Sequence, residues 1–571
     1  MDPPPLSKTH GEIHQQRPDS PATSCVSMKS DQSIEPPTRE RTYEEIISKS
    51  TLISSGSPAV YQLRPKEEKF GNLTKKTVGE KNLKKKNKTI LLVGETRTGK
   101  STLINSLVNY TIGVKFEDNI WFEIVEKEEK RPCQTESQTT DVTVYQIFGF
   151  EDKTLPFSLT IIDTPGFGDT RGIEYDDKVS QRLFDLFGSV DGVNELSAVG
   201  LVMKASENRV NDRLKYIFDS VTSPFGKDIE KNIVALITHS DGITPKNVLK
   251  ALEAANIKCA KNEKNQPVHF MFNNRQTKQR TEETELALEN TWRVTGRGMD
   301  RFKDFLEKST PQMLITTVEV MNTRIRITAC INNLQDRIQL IELKQNEIKQ
   351  TQEALKKYEQ EMKKNEEFTI EVDEAYKDKE DIRGGMWGFF FYKGAVTCNV
   401  CEENCHHPGC TMARSPKHCE VMKGGRCTVC TGKCPASDHV KEKWRYVDKT
   451  RKVKKNIEDV KQKYEKNKED HEQKKSLLEN LQTEMDELKS QKIQLLTEAY
   501  HHVEQLERIA LNVNSLSTHV HLDFLIEKMK EIRATEKVKK LEEMKKRMDE
   551  KNKAGLRYMF GKLTVGKDAV I

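Results

Sequence analysis

The apolar pattern changes character along this chain. Between residues 88 and about 308, short apolar runs alternate with amphipathic stretches, and Thr89–Gly94, Val142–Phe148, Leu159–Asp163, Ala198–Met203, Ile233–Thr238 and Val268–Phe272 read as strands. Strands alternating with helical stretches predict an α/β unit with a mainly parallel sheet and helices on both faces. Beyond Pro311 the chain carries no Pro or Gly from 312 to 383, and again none from 436 to 554. Thr310 followed by Pro311 is a helix-start signal. The later stretch holds a heptad seam, Val453, Ile457, Val460, Tyr464, then polar Asn467, His471 and Lys474, then Leu478, Leu481, Met485 and Leu488. The earlier one repeats Leu334, Ile341, Ile348, Leu355 and Met362 at sevens. Two helical arms folded as an antiparallel hairpin, extending roughly 65 Å at about 1.5 Å per residue, are the expectation.

Around these lie segments of other kinds. Residues 1–40 lack periodicity and read as a disordered tail. Residues 41–87 form a basic lead-in whose Lys81, Lys84, Lys85, Lys86 and Lys88 suit a solvated approach to the first strand. The expected organisation is then a globular domain over 88–308, a helical arm over 310–385, a cysteine-rich module over 386–440, a coiled-coil arm over 441–555 and a tail over 556–571. A content of 35% hydrophobic and 32% charged residues suits a globular head joined to long charged helices better than one compact body. The net charge of +6 calls for no nucleic-acid partner. No apolar run is long enough to span a bilayer, and neither end shows a signal-peptide core or a lipidation residue, so a cytoplasmic protein is expected and membrane contact has no support.

Chemistry enters at Gly94-Glu95-Thr96-Arg97-Thr98-Gly99-Lys100-Ser101, between an apolar strand and the helical Thr102–Leu107. Strand, glycine loop and helix are the context a phosphate-binding loop needs. Its glycines let successive N–H groups face a β-phosphate at the positive end of a helix. Lys100 would reach the β- and γ-phosphates, and the Ser101 hydroxyl would bind Mg²⁺, with Thr102 counted in the same nucleotide-binding set. Asp163-Thr164-Pro165-Gly166 ends another apolar run. Asp163 can hold the magnesium through water, and the Gly166 N–H can sense the γ-phosphate.

The strand Ile233–Ile237 runs into Thr238-His239-Ser240-Asp241. A carboxylate at Asp241 can accept from guanine N1–H and its 2-amino group, a donor pair adenine lacks; His239 can lie flat on the base. A helix-capping role for Ser240 and Asp241 is the alternative. The next strand ends in Phe272-Asn273-Asn274, where an Asn can complete a base pocket. GTP or GDP with Mg²⁺ is therefore the expected cofactor.

Together, Gly94–Ser101, Asp163–Asp169, Thr238–Asp241 and Phe272–Asn274 resemble the immunity-associated (AIG1-type) GTPases and their septin relatives over about residues 88–308; the rest of the chain matches neither. The resemblance implies a Ras-like domain that forms a homodimer across its nucleotide face, with a switch threonine on Mg²⁺ and the γ-phosphate, for which Thr139 is chosen from Thr135–Thr140. Two residues depart from many small GTPases. Phe167 stands where a water-orienting Gln is usual, which predicts slow intrinsic hydrolysis. Arg97 lies in a string, Arg-Thr-Gly-Lys-Ser, that resembles guanylate-binding proteins and implies an internal arginine finger, or else an exposed arginine without a role. Arg97, Lys100 and Thr139 are thus the candidate catalytic residues. A nucleotide-gated scaffold with negligible hydrolysis is the rival reading.

Eight of the twelve cysteines fall between Cys398 and Cys434. Cys398-x2-Cys401-x3-Cys405-His406-x3-Cys410, Cys419, and Cys427-x2-Cys430-x3-Cys434-x4-His439 repeat an x2-then-x3 spacing. Cys-x2-Cys supplies two zinc ligands from one tight turn. Cys398, Cys401, Cys405, His406, Cys410, Cys419, Cys427, Cys430, Cys434 and His439 suffice for two Zn²⁺ sites, with His407 and His418 in reserve. The spacing does not fit a ubiquitin-ligase RING, so a structural tip for the hairpin, open to an unknown protein partner, is preferred over a ligase or adaptor. Trp387–Tyr392 reads as that module's own core, with a docking loop as the alternative.

Overall fold

The computed structural model describes residues 38–547, apart from 71–72, 127–140, 152, 167–172, 190–191, 208–211, 358–368, 383–385, 388–390, 393, 411–412, 414, 457–476 and 513–515. These fall into two units that divide between Lys49 and Ser50. In the first, the helix Thr38–Ser48 is closed by a Lys49–Glu45 ion pair of 2.8 Å. The tail expected over 1–40 lies almost wholly outside the described residues.

The second unit is built on an eight-stranded sheet. Its order is His269–Met271, Ile233–Thr238, Ala198–Lys204, Asn87–Gly94, Ser158–Asp163, Thr143–Ile147, Leu73–Val78 and Lys66–Phe70. The first five are mutually parallel; Thr143–Ile147 reverses direction, and Lys66–Phe70 forms a hairpin with Leu73–Val78. The central strands are buried on both faces, which is why they read as unbroken apolar runs. The helices Lys100–Ile112, Ile173–Gly188, Asp212–Thr222, Lys246–Ala254 and Glu285–Lys308 complete the α/β head.

The segment expected as a lead-in is therefore partly sheet. Leu73–Val78 pairs parallel with Thr143–Ile147, and Thr51–Ser54 and Ala59–Gln62 form a smaller sheet with Ile120–Glu123. The misreading has a physical cause. Lys76 is buried along its stem, while its ammonium reaches Glu67 and Glu126 at 2.8 and 2.9 Å, so a lysine-rich stretch fills an inward position. Lys81 and Lys84 are exposed, as expected, whereas Lys88 is buried and donates to the Ser309 carbonyl at 3.0 Å.

Past Pro311 the chain forms the helix Ile315–Lys357, roughly 65 Å long at about 1.5 Å per residue. Leu334, Ile341 and Ile348 of the predicted seam are buried along it. Leu481 and Leu488 are buried on the helix Leu477–Ile509. The two helices are antiparallel: Arg324 donates to the Asn512 carbonyl at 2.6 Å, while Arg337 and Lys344 share a cavity with Leu488 and Gln491. The seam positions Ile457–Lys474 lie outside the described residues.

Each arm also contains a long strand where helix was expected. Thr369–Asp381 pairs antiparallel with Trp444–Asn456 over their whole length. One strand is acidic and the other basic. Glu374 meets Arg451 at 2.8 Å, Asp378 meets Lys449 at 2.7 Å and Glu380 meets Arg445 at 3.2 Å. Opposite charges across a ladder favour pairing, and Ile370 and Val372 bury one face at a spacing of two. Absence of Pro and Gly permits helix and strand alike; cross-strand charge decides here.

A half-buried histidine gives this helical layer a pH dependence. His521, on the helix Leu516–Glu531, lies 3.2 Å from the Thr328 hydroxyl, and burial pushes its pKa down to about 4. Its stabilising contribution is complete above the unfolded value of about 6.5 and is lost as pH falls towards 4. Between pH 7 and 5 this costs about 2 kcal/mol. Urea unfolding of His521→Gln should show a shallower loss than wild type over that interval; parallel curves would refute the assignment.

Candidate nucleotide site and cysteine centre

Asn87–Gly94 lies between Ala198–Lys204 and Ser158–Asp163, so the ends of three parallel strands converge beneath one loop. The helix Lys100–Ile112 starts directly after Gly99, whose φ of 89° places it in the left-handed region. Lys100 is buried, and its Nζ donates to the Gly94 and Glu95 carbonyls at 3.0 and 3.1 Å. Burial pushes its pKa down to about 8, against the opposing charges of Asp163 and Glu95. A polyphosphate would add the negative charge that this buried ammonium lacks. Asp163 is fully buried at the end of its strand. Ser101 is half-buried on the first helical turn and Thr102 is exposed.

Thr98 and Thr238 hold the loop. Thr98 Oγ1 donates to the Glu95 carbonyl at 2.9 Å, and Thr238 Oγ1 lies 2.6 Å from the Thr98 carbonyl and 3.0 Å from that of Met203. Thr238 thus joins the two loops through backbone, a positioning contact that its motif did not reveal. Gly166 sits directly against Thr96: a Cβ there would lie 2.3 Å from Thr96 Oγ1 and 2.6 Å from its backbone nitrogen. Gly166→Ala must displace one loop or the other. It should weaken binding of a fluorescent GTP analogue at least tenfold with an unchanged far-ultraviolet spectrum, and affinity within twofold of wild type would refute that coupling.

The base-side loops are tied together by Ser240. Its N–H donates to the Phe272 carbonyl at 3.0 Å, and its own carbonyl accepts from Asn273 Nδ2 at 2.8 Å. Asn274 Oδ1 accepts from Thr295 at 3.2 Å, while its Nδ2 is buried with no hydrogen-bond partner among the described residues. An amide N–H₂ in that position suits an acceptor on a ligand. His239 has a φ of 54° and an exposed ring, which partial burial and the charges of Lys204 and Arg275 favour as neutral. Asp241 is exposed and accepts from the Ile243 N–H at 2.8 Å, a turn contact and not the helix cap that was its alternative role, since the next helix starts at Lys246 after Pro245. Arg97, with a φ of 68°, is exposed and makes no ion pair among the described residues. Thr139, Phe167 and Asp169 lie outside the described residues.

The nominated cysteines and histidines converge on three clusters. Cys398, Cys401, Cys430 and Cys434 form one, Cys405, Cys427, Cys430 and His439 a second, and His406, Cys410 and Cys419 a third. Each cluster's ligand atoms lie within 4.8 Å of one another, and Cys430 belongs to the first two. Backbone N–H groups point at the sulfurs: Cys401 N at Cys398 Sγ, Cys430 N at Cys427 Sγ and Cys434 N at Cys430 Sγ, at 3.4, 3.4 and 3.3 Å. Donors so placed favour thiolate. His439 Nδ1 lies 2.9 Å from the Pro435 carbonyl, and its Nε2 is buried without a hydrogen-bond partner among the described residues. That is the tautomer and orientation of a zinc ligand. His418 instead contacts Ser415 and joins no cluster.

The module is not the tip of a hairpin. It packs along the flank of Ile315–Lys357, where Arg326 Nε donates to the Glu420 carbonyl at 2.9 Å, Asn332 to His407 at 3.0 Å and Asn333 to Asn404 at 3.1 Å. Arg337 faces Glu403 at 3.6 Å, both nearly buried. The polar helix positions 326, 333 and 337 recur at helical spacing on the flank beside the leucine seam, with 332 further round, a signal in the sequence that pointed to this contact. The side chains of Trp387–Tyr392 lie outside the described residues.

Residues 84–176 match the septin family model. The chain is 30% identical to human Septin-5 and 28% identical to Septin-1 of Drosophila melanogaster, each over 183 residues. These alignments cover 29% and 28% of this chain and 43% of either septin, so it spans less than half the length of the curated relatives it matches. Among solved structures, Toc33 of Arabidopsis thaliana in complex with Mg²⁺ and GMPPNP aligns at 16% identity over 40% of this chain and 88% of its own, with a TM-score of 0.28, too low to add to the fold assignment. No helix among the described residues is long and apolar enough to cross a membrane. The segment that carries the phosphate loop and Asp163-Thr164-Pro165-Gly166 is a septin-like P-loop GTPase domain, and these alignments cover less than a third of the chain.

Proposed function

We propose that this protein is a Mg²⁺-dependent, GTP-binding switch of the cytoplasm that pairs with a second copy across its nucleotide face. The observation that carries the reading is the convergence of buried Lys100, buried Asp163 and the start of the helix Lys100–Ile112 under a loop pinned by Thr238. Lys100 and the loop N–H groups would bind and orient the phosphates. Ser101 and Asp163, with Thr139, would hold Mg²⁺, which supplies charge neutralisation on the phosphates when bound. Asn273, Asn274, His239 and Asp241 would select guanine. The cysteine module would hold zinc at its two four-ligand clusters and brace the long helix that leaves the head.

Guanine selection is the most direct test. GTP should bind at least tenfold tighter than ATP, and Asp241→Ala should remove most of that preference through the loss of two hydrogen bonds to a charged acceptor, each contributing about 1.5–3 kcal/mol. Equal affinity for the two triphosphates in the wild type would refute the reading.

A further inference from the structure

We propose that His406, Cys410, Cys419 and Glu420 form a third zinc site, separate from the two cysteine tetrads. The inference rests on the zinc reading of the module but shares no ligand with those tetrads. The ligand atoms of His406, Cys410 and Cys419 lie within 4.8 Å of one another, and the Glu420 carboxylate lies beside two of them. With zinc–sulfur bonds of about 2.3 Å and bonds to nitrogen or oxygen of about 2.0–2.1 Å, adjacent vertices stand about 3.8 Å apart for two sulfurs, about 3.5 Å for sulfur with nitrogen or oxygen, and about 3.3 Å for nitrogen with oxygen. Cys410 Sγ lies 3.9 Å from Cys419 Sγ, and His406 Nδ1 lies 3.1 Å from Cys419 Sγ. Glu420 Oε2 lies beside two of these atoms, 3.4 Å from His406 Nδ1 and 3.6 Å from Cys419 Sγ.

Strand geometry explains why this site is distinct. Cys405 and His406 are neighbours on the strand Glu403–Cys410, and successive side chains of a strand point to opposite faces. Cys405 enters the second tetrad, while His406 joins Cys410, which lies beyond an irregularity in the strand pairing, in the third cluster. Burial argues for a cation there. Cys410, Cys419 and His406 are 1%, 3% and 7% exposed, and the Glu420 side chain is 12% exposed. Two sulfurs and a carboxylate converging in so dry a place repel one another as anions, and a divalent ion removes that cost. Two thiolates, one imidazole and one carboxylate suit zinc. The site also has a mechanical consequence: the Glu420 carbonyl accepts from Arg326 on the long helix, so this ion would fasten the module to the helix that leads out of the GTPase domain.

Metal content of the full-length protein, purified under reducing conditions from zinc-replete medium and desalted, tests this by elemental analysis. Three zinc ions per chain are expected. Two ions would overturn the third site while leaving the tetrads standing; none in a folded sample would overturn the zinc reading itself. Cys410→Ser with Cys419→Ser should lower the count by one and keep nucleotide binding unchanged, and a count still at the wild-type value overturns the assignment. Should that variant misfold, the wild-type count and cobalt(II) reconstitution still decide, because the third equivalent of cobalt should add weaker sulfur charge-transfer absorption than the first two. Glu420→Gln should release its ion to a chromophoric chelator at least tenfold more readily, and unchanged affinity would remove Glu420 from the ligand set.

Discussion

Treating the reduced, full-length protein with a strong zinc chelator is expected to unfold the cysteine module and to loosen the helix Ile315–Lys357 against which it packs. The effect is expected to be large because zinc binding in a small closed site is itself folding free energy, about 10–16 kcal/mol per structural ion. Half of the module's described core is ligand cysteines, with Val396, Val421, Met422, Val429 and three alanines. Without metal, buried thiols would replace thiolates and little apolar surface would be left to hold the strands Gly394–Cys398, Glu403–Cys410 and His439–Glu442 together. The helix is affected because Arg326, Asn332, Asn333 and Arg337 find their partners on the module. Limited proteolysis should cut residues 394–442 within the chelated protein at enzyme concentrations that leave the zinc-loaded protein intact, and readdition of zinc should restore protection. A chelated, metal-free sample that keeps wild-type protection would defeat the zinc assignment.

Replacing Arg97 by alanine is expected to lower GTP turnover per molecule about 10²-fold or more at concentrations where heads pair, with nucleotide affinity within a few-fold of wild type. That split marks an interaction made mainly in the transition state. Structure supports the choice of residue. Arg97 sits in the phosphate loop in a left-handed conformation, exposed, with no ion pair among the described residues. Because alanine and arginine meet the same backbone strain at that φ, the substitution reports on the guanidinium alone. Turnover measured across a protein dilution series checks the idea. Weakened GTP binding with intact turnover would instead make Arg97 a ground-state phosphate contact, and the protein a slowly hydrolysing, nucleotide-held scaffold.

Much of the head was legible because its signals are local. The six predicted strands stand where apolar runs placed them, and the phosphate loop follows one strand and opens a helix, since backbone conformation over eight residues is set by those eight residues. Thr238 shows where such reading stops. Its motif marked it for the nucleotide, but its hydroxyl is used to hold Thr98 and Met203, a relation between loops 140 residues apart. Lys88 was misread for the complementary reason: charge predicts solvent only when no acceptor awaits it within the fold, and here the Ser309 carbonyl does.

By itself the sequence determined which residues have the type and spacing such chemistry needs: the loop from Gly94 to Ser101, Asp163, the base-side loops and the ten cysteine and histidine positions, because ligand type and short spacing are local properties. Tertiary structure alone decided how they are shared out. Breaker-free segments can be helix or strand, and the pairing of the acidic strand Thr369–Asp381 with the basic strand Trp444–Asn456 settled that choice across seventy residues of chain. Ligand spacing says how many sulfurs are near in sequence, but only folding places Cys430 between two clusters and brings Cys419 to His406. The long helix supplies the last piece, because its polar flank has partners only once the module lies along it, which is why the module sits beside the arm instead of at its end.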